Sequence, residues 1–246
     1  MQIPDASTLL SVWETGASEP LLLKALLLLA TAYPERSMEE WTHATVGERD
    51  ACLLDLRERL FGSTLEMLAD CPGCRQTLEV AFKTSDLGAQ FSQRASRGRL
   101  VRGGFEIEYH LPASDDLLAV AQSDPGSDAR PASALLLERC IVSGTRDGAE
   151  IAPRALPEEI REAIEAAMAE LDPGADLSVM LECAHCGRRW QKVFDIVSHL
   201  WSDLEDWAQR SLREVHLLAS AYGWSERSIL SMSPGRRQIY MEMVAG

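Results

Sequence analysis

No apolar run in this sequence is long enough to cross a bilayer, which takes ~20 residues. The most apolar stretch, 21–32, is broken by Lys24 and reads as a buried helix. The first residues, Met1-Gln2-Ile3-Pro4-Asp5, lack the basic segment and apolar core of a secretory signal, so a cytoplasmic protein with free thiols is expected. Basic residues are scarce: 24 Lys and Arg stand against 38 Asp and Glu, for a net charge of −14 over 246 residues. Binding to nucleic acid by counterion release needs concentrated positive charge, so neither DNA nor RNA is an expected partner. The local exception, Arg94, Arg97, Arg99 and Arg102, reads as a solvated basic loop. Signatures of common catalytic sites are missing too. None of His43, His110, His185, His199 or His216 opens a His-x-Glu or His-Glu-x-x-His motif, and there is neither a Gly-rich phosphate loop with a Lys nor a Gly-x-Ser-x-Gly elbow.

What the sequence does hold is two Cys-x-x-Cys knuckles. Cys71-Pro72-Gly73-Cys74 and Cys183-Ala184-His185-Cys186 supply four thiols, with 108 residues between them. Four thiolates fill the shell of a tetrahedral zinc ion and leave no open position for water or substrate. In a reducing compartment such pairs bind metal more often than they form disulfides. The spacing far exceeds the ~15–20 residues of compact sites, but each pair adjoins an alternating segment suited to a ribbon strand. A single structural zinc shared by Cys71, Cys74, Cys183 and Cys186 is therefore expected. Pairwise disulfides and two idle knuckles are the alternatives. His185 lies inside a knuckle and reads as exposed or supporting, and Cys52 and Cys140 read as small buried hydrophobes.

Around the knuckles the chain reads as mainly α with a small β part. The expected architecture is a helical core plus a four-cysteine, zinc-ribbon-like element split by a long insertion. Residues 1–70 read as helical throughout, including 65–68. Residues 71–83 and 177–194 form the ribbon halves. The insertion, 84–176, carries a β-hairpin around Gly103-Gly104 and helices at 115–121, 132–142 and 157–171, with a turn at 124–128. Ser37 with Glu40 reads as a capping box, and Ser114 as the cap of the helix after it. Residues 195–246 read as helical, led by a helix over 196–222 with one continuous apolar stripe. Trp201, Trp207 and Trp224 with Arg236, Arg237 and Tyr240 are the candidate partner surface, since Trp, Tyr and Arg anchor interfaces; core packing is the competing reading of the tryptophans.

Three blocks carry a resemblance. They are Gly47-Glu48-Arg49-Asp50 through Arg57-Glu58 and Phe61-Gly62 to the first knuckle; the second knuckle running into Phe194-Asp195-Ile196; and Trp201 through Ala221-Tyr222-Gly223-Trp224 to Ser233-Pro234-Gly235-Arg236-Arg237-Gln238-Ile239-Tyr240. Together they resemble a baseplate protein family of contractile-tailed phages and phage-derived contractile injection systems. The resemblance implies a structural or assembly role at the tail baseplate without catalysis, with other baseplate, hub or tail proteins as partners; it leaves open incorporation into a phage-tail-like particle or action during assembly alone. A transient cytoplasmic assembly chaperone for a tail or hub subunit is the alternative, and a zinc-dependent hydrolase a third. The family pattern often has Gly after the second cysteine of a knuckle. Here Arg75 takes that place, which implies a slightly altered turn.

Overall fold

The computed structural model describes residues 1–87, 96–123 and 131–245. Four helices open the chain: α1 (Ala6–Gly16), α2 (Leu21–Ala32), α3 (Met38–Thr42) and α4 (Val46–Phe61). Local chemistry sets their ends. Asp5 caps α1 by accepting from Thr8 N, and Ser37 and Glu40 close a capping box on α3. Thr45 caps α4, and Gly62 (φ +90°) stops it.

The next segment departs from the expectation. Residues 65–68 are strand, because β1 (Thr64–Asp70) pairs antiparallel with β2 (Thr77–Lys83) in full register, from Thr64 opposite Lys83 to Asp70 opposite Thr77. Leu65, Met67 and Ala69 alternate, and the pair Leu65 and Ala69 is buried. A leucine-rich segment fits either period, and cross-strand pairing decides for the sheet. The first knuckle thus sits at the tip of a complete hairpin.

The β content of the insertion also exceeds expectation. β3 (Arg97–Arg102) and β4 (Phe105–His110) form the hairpin, joined by Gly103 and Gly104 at φ +59° and +81°, the twin positive angles of a type I′ turn. Arg97, Arg99 and Arg102 therefore lie on a strand and not on a loop; Arg94 and the turn at 124–128 lie outside the described residues. After α5 (Ser114–Ala121) and α6 (Ala132–Cys140), the helix expected to run to residue 142 gives way at Ile141 to β5 (Ile141–Arg146). Asp147 and Gly148, both at positive φ, turn it into β6 (Ala149–Glu150). Among the described residues these strands make one sheet in the order β3-β4-β5-β6. Helix α7 (Glu158–Leu171) completes the insertion, closing a core of its own that includes Ile107, Tyr109, Ile160 and Ile164. Helix α5 begins after Ala113, and Asp116 accepts from Ala113 N; Ser114 is not the cap but lies buried against Arg49.

The chain returns through β7 (Ser178–Glu182) and β8 (Arg189–Val193), a second knuckle hairpin. Asp195 follows at once and caps α8 (Ile196–Tyr222), which ends on Gly223 in the left-handed conformation. Short α9 (Glu226–Leu230) and α10 (Pro234–Ala245) close the fold. Both hairpins send their apolar faces into the same core as α2, α4 and α8. Leu65, Phe82, Val179, Leu181 and Phe194 are buried there, and Phe82 meets Phe194 edge to face at 5.5 Å. No helix among the described residues is long and apolar enough to cross a membrane.

Candidate functional site

The two knuckles are built alike. In the first, Cys71 N donates to Gln76 O and Arg75 N to Cys71 O, each at 2.9 Å. In the second, Cys183 N donates to Arg188 O at 2.9 Å and Gly187 N to Cys183 O at 2.8 Å. Each turn needs a left-handed residue just after its second cysteine. Gly187 supplies it at φ +70°, and Arg75 supplies it at φ +60°, so Arg75 leaves the turn unaltered and bears the strain instead. A non-glycine residue in this region costs ~1–2 kcal/mol. Arg75→Gly is therefore expected to raise stability by about 0.5–1 kcal/mol, after glycine's extra freedom in the unfolded chain is subtracted. Urea denaturation of the two chains under identical conditions measures it.

The hairpin tips face each other and bring the four thiols together. All four Sγ atoms lie within 4.8 Å of one another, and the shortest approaches cross between knuckles. Cys71 Sγ is 3.6 Å from Cys186 Sγ, and Cys74 Sγ is 3.6 Å from Cys183 Sγ. A tetrahedron of ~2.3 Å metal–sulfur bonds has edges of about 3.8 Å, so the cluster is compatible with a metal site. All the cysteines are free thiols. Gly73 makes the approach possible: its Cα sits so close to the second knuckle that a Cβ there would meet Arg188 at 2.9 Å and Cys186 Sγ at 3.5 Å. Its N–H also points to Cys71 Sγ at 3.4 Å. The Cys74 backbone N–H, with that of Gly73, outweighs desolvation and lowers the Cys71 thiol to about 6. Although the Gln76 N–H acts to lower Cys74, desolvation and the neighbouring thiols push it up to about 12. His185 is exposed.

Sequence reasoning missed the buried arginines. Arg57 of α4 is 5% exposed. Its Nε donates to Asp203 on α8 at 2.9 Å, and its Nη1 donates to Gly62 O at 2.5 Å and Thr64 O at 2.6 Å. It thereby ties the end of α4, the start of β1 and the first half of α8 into one joint. His199 packs beside it against Phe194, and burial lowers its imidazole below the usual range. Arg49 is also buried, bonded to Asp50 at 2.7 Å and to Ser114 at 3.3 Å. Next to it, Gly47 N donates to Asp172 at 3.0 Å, and a Cβ at Gly47 would collide with that carboxylate. Val46 N donates to Pro112 O at 2.9 Å. The Gly47-Glu48-Arg49-Asp50 motif is thus the seat on which the insertion rests, fixed through the N-terminus of α4. The partners lie 65 and 125 positions away, so no local pattern announces them.

The residues of the candidate partner surface separate into two groups. Trp201 is 5% exposed, laid on Gly16 with the Lys24 ammonium 4.5 Å over its ring. Arg237 is 4% exposed and bonds Glu214 and Met232 O, both at 2.9 Å. These two spend their side chains inside the fold. Trp207 is half-buried against the core. Trp224 stacks on Tyr222 at 4.5 Å and meets Tyr240 edge to face at 4.9 Å, while Arg236 sits 5.7 Å over Tyr240. Beside this cluster Ile239 and Met243 of α10 are exposed.

No curated protein and no solved structure matches the chain. Among protein families, residues 8–201 match the one described as T4 bacteriophage base plate protein. The match runs from α1 into the start of α8 and includes both knuckle hairpins, the insertion and Arg57; Asp203, most of α8, α9 and α10 lie beyond it. With most of its length matched in one unbroken span, this chain belongs to the T4 bacteriophage base plate protein family.

Proposed function

We propose that this chain is a structural or assembly component of the baseplate of a phage-like contractile injection system, held in shape by one structural zinc and without catalysis. The observation that carries the reading is the family match over residues 8–201. Convergence of Cys71, Cys74, Cys183 and Cys186 supports the metal. With four thiolates, zinc here has no open position and serves stability rather than chemistry. The two knuckle hairpins (64–83 and 178–193) act as ribbon halves that fasten the amino-terminal helices (1–62) to the carboxy-terminal ones (195–246), with 84–176 as the insertion. Other baseplate, hub or tail proteins are the partners. The surface offered to them is the Trp224–Tyr240 cluster with Arg236 and the exposed side of α10, which presents Ile239 and Met243. Arg237 braces α10 through Glu214, Trp207 packs against the apolar cluster that also includes Trp224 and Tyr240, and Trp201 belongs to the core at the other end of α8.

The test is mass spectrometry of purified particles together with an Ile239→Asp/Met243→Asp variant. The chain is expected in finished particles, and the variant is expected to fold normally while lowering particle yield at least tenfold. A chain needed for assembly but missing from finished particles would make it a chaperone. Normal particles without the chain would overturn the reading.

A further inference from the structure

A second group of metal-ligating side chains lies in the insertion, away from the knuckles. His110 ends β4, Asp116 sits in the first turn of α5, and Cys140 is the last residue of α6. One ligand atom of each, a ring nitrogen, a carboxylate oxygen and a thiol sulfur, lies within 4.8 Å of the others. Cys140 is fully buried and Asp116 is 2% exposed.

The hydrogen bonds around the group constrain its charges. His110 Nε2 lies 3.1 Å from Arg139 O, a carbonyl that a proton on this nitrogen would satisfy. The other nitrogen, Nδ1, faces Leu111 O at 3.0 Å and Asp116 Oδ2 at 3.6 Å. Both are acceptors, and with Nε2 protonated a cation among them would satisfy all three. Such a cation is either a second proton on the ring or a metal ion. A ring proton would be satisfied by Leu111 O alone and gives Cys140 no part. A metal uses nitrogen, oxygen and sulfur together, and 3.6 Å is near the ligand–ligand separation of a tetrahedral zinc shell, roughly 3.3–3.8 Å. The surroundings match what holds metal ligands in place. Arg139 O fixes the imidazole, while Arg139 Nε holds the far oxygen of Asp116 at 3.3 Å and Ala113 N holds the near one at 3.1 Å. Asp115 Oδ1 is buried without a hydrogen-bond partner and adds negative potential. The imidazole is about one-third exposed, which leaves an ion a route in.

We propose that His110, Asp116 and Cys140 form a second divalent-metal site with three protein ligands and a fourth position open to water. The set suits zinc or cobalt(II) and is independent of the four-cysteine cluster. Because the ligands come from β4, α5 and α6, the ion would lock the sheet of the insertion to its helices.

Cobalt(II) titration of the full chain tests this by equivalents bound and by absorption. The wild type is expected to bind two equivalents, one with a four-thiolate spectrum and one with a single-thiolate spectrum. Cys140→Ala is expected to lose only the second, and Cys71→Ser only the first. If the four-cysteine cluster binds nothing, one equivalent lost in Cys140→Ala and kept in Cys71→Ser still upholds this site. Nitrogen-15 NMR of the zinc-loaded wild type needs no variant: His110 should show Nε2 protonated and Nδ1 bare and shifted by metal. An imidazole protonated on both nitrogens in the zinc-loaded chain, or equal cobalt uptake by wild type and Cys140→Ala, would overturn the proposal.

Discussion

Replacing Cys71 and Cys183 together by Ser is expected to remove one zinc equivalent per chain and to unfold the paired hairpins. A structural zinc contributes ~10–16 kcal/mol of apparent folding free energy in small zinc domains, as much as the whole ~5–15 kcal/mol that holds a typical domain together. The loss should therefore exceed what the helices can offset. Hydrogen exchange should rise first in β1–β2 and β7–β8, whose strands pair only within their own hairpin. Leu65, Phe82, Val179, Leu181 and Phe194 would then lose their enclosure, so thermal melting should become broad. Metal analysis alongside hydrogen exchange decides it. An unchanged zinc content and a melting temperature within a degree or two of wild type would remove the four-cysteine site.

The second large effect concerns Arg57. Arg57→Ala should cost about 3–5 kcal/mol, the range for breaking a buried ion pair by removing one partner. It strands the carboxylate of Asp203 and the carbonyls of Gly62 and Thr64. Arg57→Lys should recover little, since a single ammonium cannot serve acceptors spread over three elements as a planar fork does. Asp203→Asn should be milder, because Asp203 is about one-quarter exposed and water can take over part of its role. Urea titration of the three variants, with zinc held constant, ranks them. A near-neutral Arg57→Ala would mean that the joint between α4 and α8 is held by apolar packing alone.

How much of this could be read beforehand depended on how local the determining contact was. Helix α8 was legible end to end, because Asp195, the apolar stripe and Gly223 are all local signals. The Ser37–Glu40 box and the Gly103-Gly104 turn were legible for the same reason. Strand β1 was not, since Leu65, Met67 and Leu68 satisfy a helical spacing and only the partner strand β2 breaks the tie. Strand β5 was readable in principle, since Asp147-Gly148 is a strong hairpin signal, but the apolar residues of α6 run on into Ile141 and Val142 and mask the change of period. The four cysteines were found by pattern, but that they face one another across 109 and 115 positions is a property of the folded chain. Arg57 and Arg49 look like ordinary surface residues of an amphipathic helix, and their burial follows from partners 146 and 65 positions away; Arg237 is buried by the packing of α10 onto Glu214 of α8.

The distance between the knuckles also has a bearing on how the protein is made. Cys74 and its neighbour Cys183 are 109 positions apart, and ribosomes add ~5–20 residues per second. The first hairpin therefore waits about 5–20 s after synthesis before its partner thiols exist. During that time Cys71 and Cys74 are two exposed thiols on a nascent chain, open to oxidation or to a misplaced ion. The insertion, with a core of its own, can fold within the same interval. Its early folding would draw residues 96 and 171 together and shorten the remaining search, so the order of synthesis favours building the insertion before the hairpins meet.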